Sequence, residues 1–226
     1  MDRESHWNRV YETRQPDTVS WYERSPERSL AYVRKFAGLS QKVIDVGAGA
    51  SLLVDALLDV GFERPVVLDV SAAGLDHAKI RLGARAKLVQ WVVADITKNP
   101  SLPAVDLWHD RAALHFLTEA SNQFAYSQLA SRTVRPGGHL VIATFALDGP
   151  ETCSGLPVQR HDSASLTKLL GTDFELLEKD REIHTTPSGT EQRFSWVVFQ
   201  RRLFELRLPR RSSAPASPLP PVEQTL

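Results

Sequence analysis

Five short apolar runs, each set apart by a helix-length stretch or a turn, constrain this chain more than any other feature. They are Lys42 to Val46 (KVIDV), Pro65 to Val70 (PVVLDV), Val89 to Ala94 (VQWVVA), Val105 to Asp110 (VDLWHD) and Gly138 to Phe145 (GHLVIATF). Each is short and rich in Val, Ile and Leu, as strands buried on both faces are. Between them, Ser51 to Val60 puts Leu52, Leu53, Ala56 and Leu57 on one face, and Ser71 caps a helix carrying Leu75, Ala78 and Leu82. Asn122 to Val134 reads as a third helix, ended by Arg135-Pro136-Gly137-Gly138. Such β-α repetition predicts a Rossmann-like, doubly wound parallel sheet with its ligand at the carboxyl ends of the strands.

After residue 160 the rhythm changes. Ser163 to Leu170 reads as a short helix, and Phe174 to Thr186 and Gln192 to Arg202 alternate around Pro187-Ser188-Gly189-Thr190. That pattern predicts a hairpin, and with it a seven-stranded, mostly parallel sheet closed by a C-terminal antiparallel pair. Asp2 to Thr13 and Glu27 to Phe36 read as helices ahead of the sheet. The expected division is a helical lid at 1–37, a sheet domain at 38–208 and a Pro- and Ser-rich disordered tail at 209–226. A chain of 226 residues, 42% hydrophobic, has enough apolar material for one main core. The arginines 201, 202, 207, 210 and 211 read as a solvated strand end running into that tail.

The charge balance narrows the partners. With 27 basic and 27 acidic residues the net charge is zero, so no global field draws in nucleic acid or an anionic membrane. Cys153 is the only cysteine, which suits a reducing cytoplasm. The N-terminus MDRESHWNRVYETR is charged from its second residue and does not read as a signal peptide, and no apolar run is long enough for a bilayer. A cytoplasmic protein is expected, monomer or homodimer, with a small-molecule partner.

The turn VIDVGAGAS, residues 43 to 51, has two glycines of a dinucleotide fingerprint, with Leu52 where the third would stand. Asp69 follows Gly49 by twenty residues at a strand end, where a carboxylate can accept from ribose hydroxyls. Together with Asp45, the Ala94-Asp95 strand end, Asp110 and the Pro-Gly-Gly before the fifth strand, the turn resembles the class I S-adenosylmethionine-dependent methyltransferases over about Val43 to Arg202. A missing third glycine fits that cofactor, which brings no pyrophosphate to the helix. The resemblance implies a contact set of Trp21, Asp45, Gly47, Ala48, Gly49, Asp69, Val70, Asp95, Ile96 and Asp110. In it Asp69 takes the ribose, Asp95 the adenine amino group with Ile96 on the ring, and Asp45 the methionyl ammonium. Asp95 also reads as a turn cap before Thr97, and Asp45 as an acid bonding loop amides.

Methyl transfer is an in-line displacement, so the enzyme aligns the acceptor and removes its proton if it has one. Trp108-His109-Asp110-Arg111-Ala112 resembles the D-R-G/A element of the thiopurine, thiol and halide methyltransferases, and Gly155-Leu156-Pro157-Val158 stands near their substrate loop. On this reading Asp110 and His115 are catalytic, His115 being the general base. Tyr22, Arg111 and His115 contact substrate, Arg111 anchoring an acidic group or pairing with Asp110. His109 reads as a side chain packed between sheet and helix, Trp7 and Tyr11 as one face of a packed helix. The expected function is methylation of a small molecule, a thiol or another soft nucleophile. A protein-lysine N-methyltransferase and a non-catalytic S-adenosylmethionine-binding protein are the alternatives. No metal is expected.

Overall fold

A computed structural model describes residues 2–203. Two helices, α1 (Arg3–Thr13) and α2 (Glu27–Phe36), precede an alternation of β1 (Val43–Val46), α3 (Leu53–Asp59), β2 (Val66–Asp69), α4 (Ala72–Leu82), β3 (Gln90–Val93), β4 (Val105–Arg111), α5 (Ala120–Thr133) and β5 (Val134–Phe145). There follow a two-residue ribbon, β6 (Thr152–Cys153) and β7 (Leu156–Pro157), helix α6 (Ser163–Leu170), and the hairpin β8 (Phe174–Thr185) and β9 (Glu191–Arg201). The main sheet runs β3-β2-β1-β4-β5-β9-β8. Its first five strands are parallel, and β9 pairs antiparallel with both β5 and β8. Strand order reverses between β1 and β4, where such sheets open a crevice for ligands.

Apolar side chains on the two faces of the central strands build two cores. Ile44, Trp108, Leu140 and Ile142 pack under α5 and α6, while Val43, Leu107, Val141 and Trp196 pack under α2 and α3. Each fully buried Leu, Val or Phe contributes about 1.5–3 kcal/mol. As the sequence predicts, Ser71 caps α4, its hydroxyl accepting from the Gly74 N–H at 3.0 Å. Asp162 caps α6 with a reciprocal Ser165 capping box, a signal the sequence reading did not use.

Two local expectations need correction. β3 is half-exposed, because it is the edge of the sheet rather than a strand covered on both faces. The Arg135–Gly138 stretch does not precede the fifth strand but lies inside it as a bulge. Val105 pairs with Val134 and Leu107 with His139, so two steps along β4 answer five along β5. The tail expected at 209–226 and the arginines at 207, 210 and 211 lie outside the described residues. No helix among the described residues is long and apolar enough to cross a membrane.

Candidate active site

The turn after β1 faces the carboxyl ends of β2 and β4. Gly47 takes φ +67°, and a β-carbon there would sit 2.3 Å from that of Ala113, so only glycine fits. Gly49 takes φ +49°, and the Tyr11 hydroxyl fills the space of its missing side chain. Arg81 of α4 ties down the rest of the turn, donating to the Ala50 and Ser51 carbonyls at 3.0 and 2.7 Å and pairing with Asp55.

Asp69 closes β2 with both oxygens engaged. The Gly49 N–H donates to one at 2.8 Å and the Ser71 N–H to the other at 2.7 Å. Burial pushes its carboxyl up to about 6 against the opposing pull of those amides. Each carboxylate oxygen keeps a further acceptor site, so two hydroxyls can still bind. At the next strand end Asp95 accepts from both the Thr97 N–H and its hydroxyl, at 2.8 and 2.7 Å, and Arg3 reaches its other oxygen at 3.5 Å. Asp95 is therefore a cap that also faces the cavity.

A cavity with about 710 Å³ of empty space, its open mouth included, lies over these strand ends. Gly47, Asp69, Val70, Asp95, Ile96 and Trp21 line it, all expected from the sequence. Trp7 and Tyr11 line it too, so they are more than the packed face of a helix. Trp7 meets Trp21 and Phe116 edge-on at 5.6 and 4.8 Å, forming an aromatic cover from α1 and the segment after it. Gly49 lines neither this cavity nor the next, because Tyr11 covers it.

A second cavity adjoins the first, sharing Tyr11, Trp21, Gly47 and Arg111 with it, and is also lined by Tyr22, Ala48, Asp45 and His109. His109 is buried against Trp196, as a side chain packed between sheet and helix would be, and it also borders this cavity. β1 and β4 pair in register Asp45↔His109, and His109 Nδ1 lies 2.7 Å from Asp45 Oδ1. A carboxylate only accepts, so Nδ1–H donates to Asp45, and in the neutral imidazole Nε2 carries the lone pair. Asp45 Oδ2 and His109 Nε2 are both buried without a partner. Arg111 does not pair with Asp110. Its guanidinium donates to the Trp21 carbonyl at 3.0 Å and meets Glu23 at 3.1 Å. Burial raises the Glu23 carboxyl, with Arg111 pulling it back.

Asp110 and His115, expected to be catalytic, line neither cavity. Asp110 is fully buried beneath the turn that follows β4, accepting from the Ala113 and Leu114 N–H groups and from the Tyr126 hydroxyl at 2.9, 3.3 and 2.8 Å. Burial raises it to about 6. It faces away from the crevice because neighbouring positions on a strand point to opposite faces, and His109 takes the side with Asp45. His115 is fully buried between Phe116 and Phe145, its Nδ1 accepting from the Phe145 N–H at 3.4 Å. Burial drops it to about 3, so it is a neutral packing residue rather than a base in contact with ligand.

The sheet order, the glycine turn and the successive strand-end acids are those of the class I S-adenosylmethionine-dependent methyltransferases. Residues 44–142 match the family described as a methyltransferase domain. A ubiquinone/menaquinone biosynthesis C-methyltransferase of Coxiella burnetii is 32% identical over 111 residues, 47% of this chain and 43% of that protein. The chain thus matches less than half the length of that curated relative. Among solved structures, one titled for conversion of a disulfide bond into a thioacetal group during echinomycin biosynthesis aligns at TM-score 0.73 and 16% identity, covering 89% of this chain and 92% of that one. The N-methyltransferase NodS of Bradyrhizobium japonicum, solved with S-adenosyl-L-homocysteine, aligns at TM-score 0.66 and 16% identity, covering 87% and 98%. At such identities the likeness is one of fold. The likeness to the thiopurine, thiol and halide subgroup rests on Asp110-Arg111-Ala112 and on Gly155-Leu156-Pro157-Val158, and Asp110 of the first motif is taken up by structural contacts.

Proposed function

We propose that this chain transfers a methyl group from S-adenosylmethionine to a small molecule. The observation that carries the reading is the cradle itself. Asp69 is held by two backbone N–H groups with acceptor sites to spare, Gly47 leaves room for close approach, and Asp95 and Ile96 stand one strand further on. Asp69 would take the ribose, Asp95 and Ile96 the adenine, and Asp45 Oδ2, buried and unpartnered, the methionyl ammonium. When bound, S-adenosylmethionine supplies an electrophilic methyl. The chain contributes alignment, and its aromatic cover excludes water.

A small acceptor is favoured because the second cavity is walled by Tyr22, Glu23 and Arg111 under the segment before α2. In this reading residues 1–37 act as a lid on a domain at 38–208, Tyr22 and Arg111 contact the acceptor, and the single cysteine suits the cytoplasm. A protein-lysine acceptor would need a groove open to a peptide. Calorimetry with S-adenosylhomocysteine and NAD, then transfer of labelled methyl to panels of thiols, phenols, amines and a cell lysate, tests the proposal. Binding of S-adenosylhomocysteine and not NAD is expected, with label on small acceptors. Tighter binding of NAD overturns it.

A further inference from the structure

We infer that His109 is the base that takes the proton from the methyl acceptor, with Asp45 orienting it. This rests on the methyltransferase reading above. The two side chains meet at the point where strand order reverses, on adjacent strands in direct register. Their side chains are 3% and 4% exposed, and the 2.7 Å contact fixes His109 with its proton on Nδ1. His109 lines the second cavity, beside the cofactor cavity, and its Nε2 is buried with no partner. A buried polar atom without a partner costs about 1–3 kcal/mol. Here the partner that removes the cost is an X–H group in the cavity.

The geometry matches the base–orienter arrangement of acyl-transfer triads. A carboxylate on the far nitrogen fixes the tautomer and stabilises the cation that forms, without itself taking the proton. In the step, the acceptor's X–H bond breaks and the proton goes to Nε2. The X lone pair forms the bond to the methyl carbon, and the carbon–sulfur pair stays on sulfur. The sulfonium becomes a neutral thioether while the imidazole becomes imidazolium. For a hydroxyl acceptor the step exchanges the sulfonium charge for the imidazolium charge, so the number of positive charges does not change, and the Asp45 carboxylate lies 2.7 Å from the imidazole that gains it. The proton returns to solvent once product leaves.

This assigns a substrate class: an acceptor whose reacting atom is protonated at neutral pH, such as a hydroxyl or an ammonium, rather than a preformed thiolate. The charged groups about His109 are Asp45 on β1, Asp110 and Arg111 on β4, and Glu23 from the segment before α2, while Trp196 of β9 lies against its ring at 6.3 Å. The charges around the imidazole are therefore mostly acidic, which suits a base that becomes a cation.

The test uses the full chain labelled with ¹⁵N-histidine and saturated with S-adenosylhomocysteine. His109 is expected to show the Nδ1–H tautomer with a free Nε2, and Asp45→Asn to disturb it. An Nε2–H tautomer, or an Nε2 resonance shifted by S-adenosylhomocysteine itself, overturns the proposal. With a phenol or amine accepted from the panel, His109→Gln is expected to lower kcat by about 10²–10⁴-fold and abolish the acid limb of the pH profile. Added imidazole should restore part of the rate, and affinity for S-adenosylhomocysteine should stay within twofold. Unchanged kcat, or kcat and affinity falling together, overturns it. Wild type that binds no S-adenosylhomocysteine refutes the methyltransferase reading instead, so the two failures are distinct.

Discussion

The Tyr11 hydroxyl stands where a side chain on Gly49 would be, since a β-carbon built there lies 1.8 Å from it. Helix α1 and the turn after β1 are therefore fitted to each other. Asn8 completes the seat, its side-chain oxygen accepting from the Ser71 hydroxyl at 2.8 Å. The first helix thus packs directly on the turn after β1 and on the start of α4.

Gly49→Ala is expected to displace Tyr11 and add the cost of a left-handed residue, about 1–2 kcal/mol. Affinity for S-adenosylhomocysteine should fall by tenfold or more, read by calorimetry. Adding Tyr11→Ala should recover part of the loss because it clears the collision. No recovery would mean that the turn alone, without α1, sets the affinity.

Asp69→Ala removes the acceptor of two backbone N–H groups and, with them, the ribose contact proposed above. Hydrogen bonds to a charged group are worth about 1.5–3 kcal/mol, so S-adenosylhomocysteine should bind at least tenfold more weakly. An unchanged dissociation constant would move the ribose elsewhere. Asp110→Ala should act on stability instead, because it orphans the Ala113 and Leu114 amides and the Tyr126 hydroxyl. Urea denaturation should show a loss of about 2–4 kcal/mol, larger than that of Tyr126→Phe.

His115 is held near a pKa of 3, below its ordinary 6.5. The unfolded chain thus takes up a proton that the folded one refuses, so the stability His115 allows is complete above pH 6.5 and is lost as pH falls towards 3. The slope is about 1.4 kcal/mol per pH unit at most. Asp69 and Asp110, raised to about 6 from 3.8, work the other way, and their cost appears as pH rises from 4 to 6. His115→Asn keeps an acceptor for the Phe145 N–H but does not titrate. It should be less stable than wild type at pH 7 and close the gap as pH falls to 4, checked by urea melts at four pH values. A constant gap would show that His115 is not held neutral.

Arg111→Met cuts the ties to the Trp21 carbonyl and Glu23 and leaves Glu23 buried alone. Hydrogen exchange at residues 19–24 should quicken, and S-adenosylhomocysteine should dissociate about tenfold faster, the equivalent of about 1.4 kcal/mol. Exchange at wild-type rates would place the anchor of the segment elsewhere, with His184 and its 2.9 Å contact to the Ser20 carbonyl the next to remove.

Much of the sheet was legible because burial on both faces leaves an unbroken apolar run, and the Asp69 position because glycine turn and acid lie at a short, fixed spacing. What escaped depended on strand neighbours. Asp45 and His109 are 64 residues apart and meet only because β1, which pairs with β2 on one side, lies against β4 on the other. Periodicity within one strand cannot show that. His115 misled for a related reason: it lies on a single 3₁₀ turn, Leu114–Phe116, too short for a pattern to say which side is buried. The Pro136-Gly137-Gly138 stretch carries the composition of a turn, yet β4 pairs with Val134 before it and His139 after it, which holds it in the strand as a bulge.

The position of β9 governs when the molecule can be finished. It is the last strand of the described chain, yet it lies inside the sheet between β5 and β8. As the chain is made, β1 to β5 can assemble in turn, but the open side of β5 must wait for Glu191–Arg201, some fifty residues later. Until then that edge presents unpaired amides and carbonyls beside a strong apolar face, open to any passing extended chain. Slow synthesis or truncation between residues 145 and 191 should therefore yield aggregates rather than a smaller soluble domain, even though every strand bearing the cofactor cradle is already present.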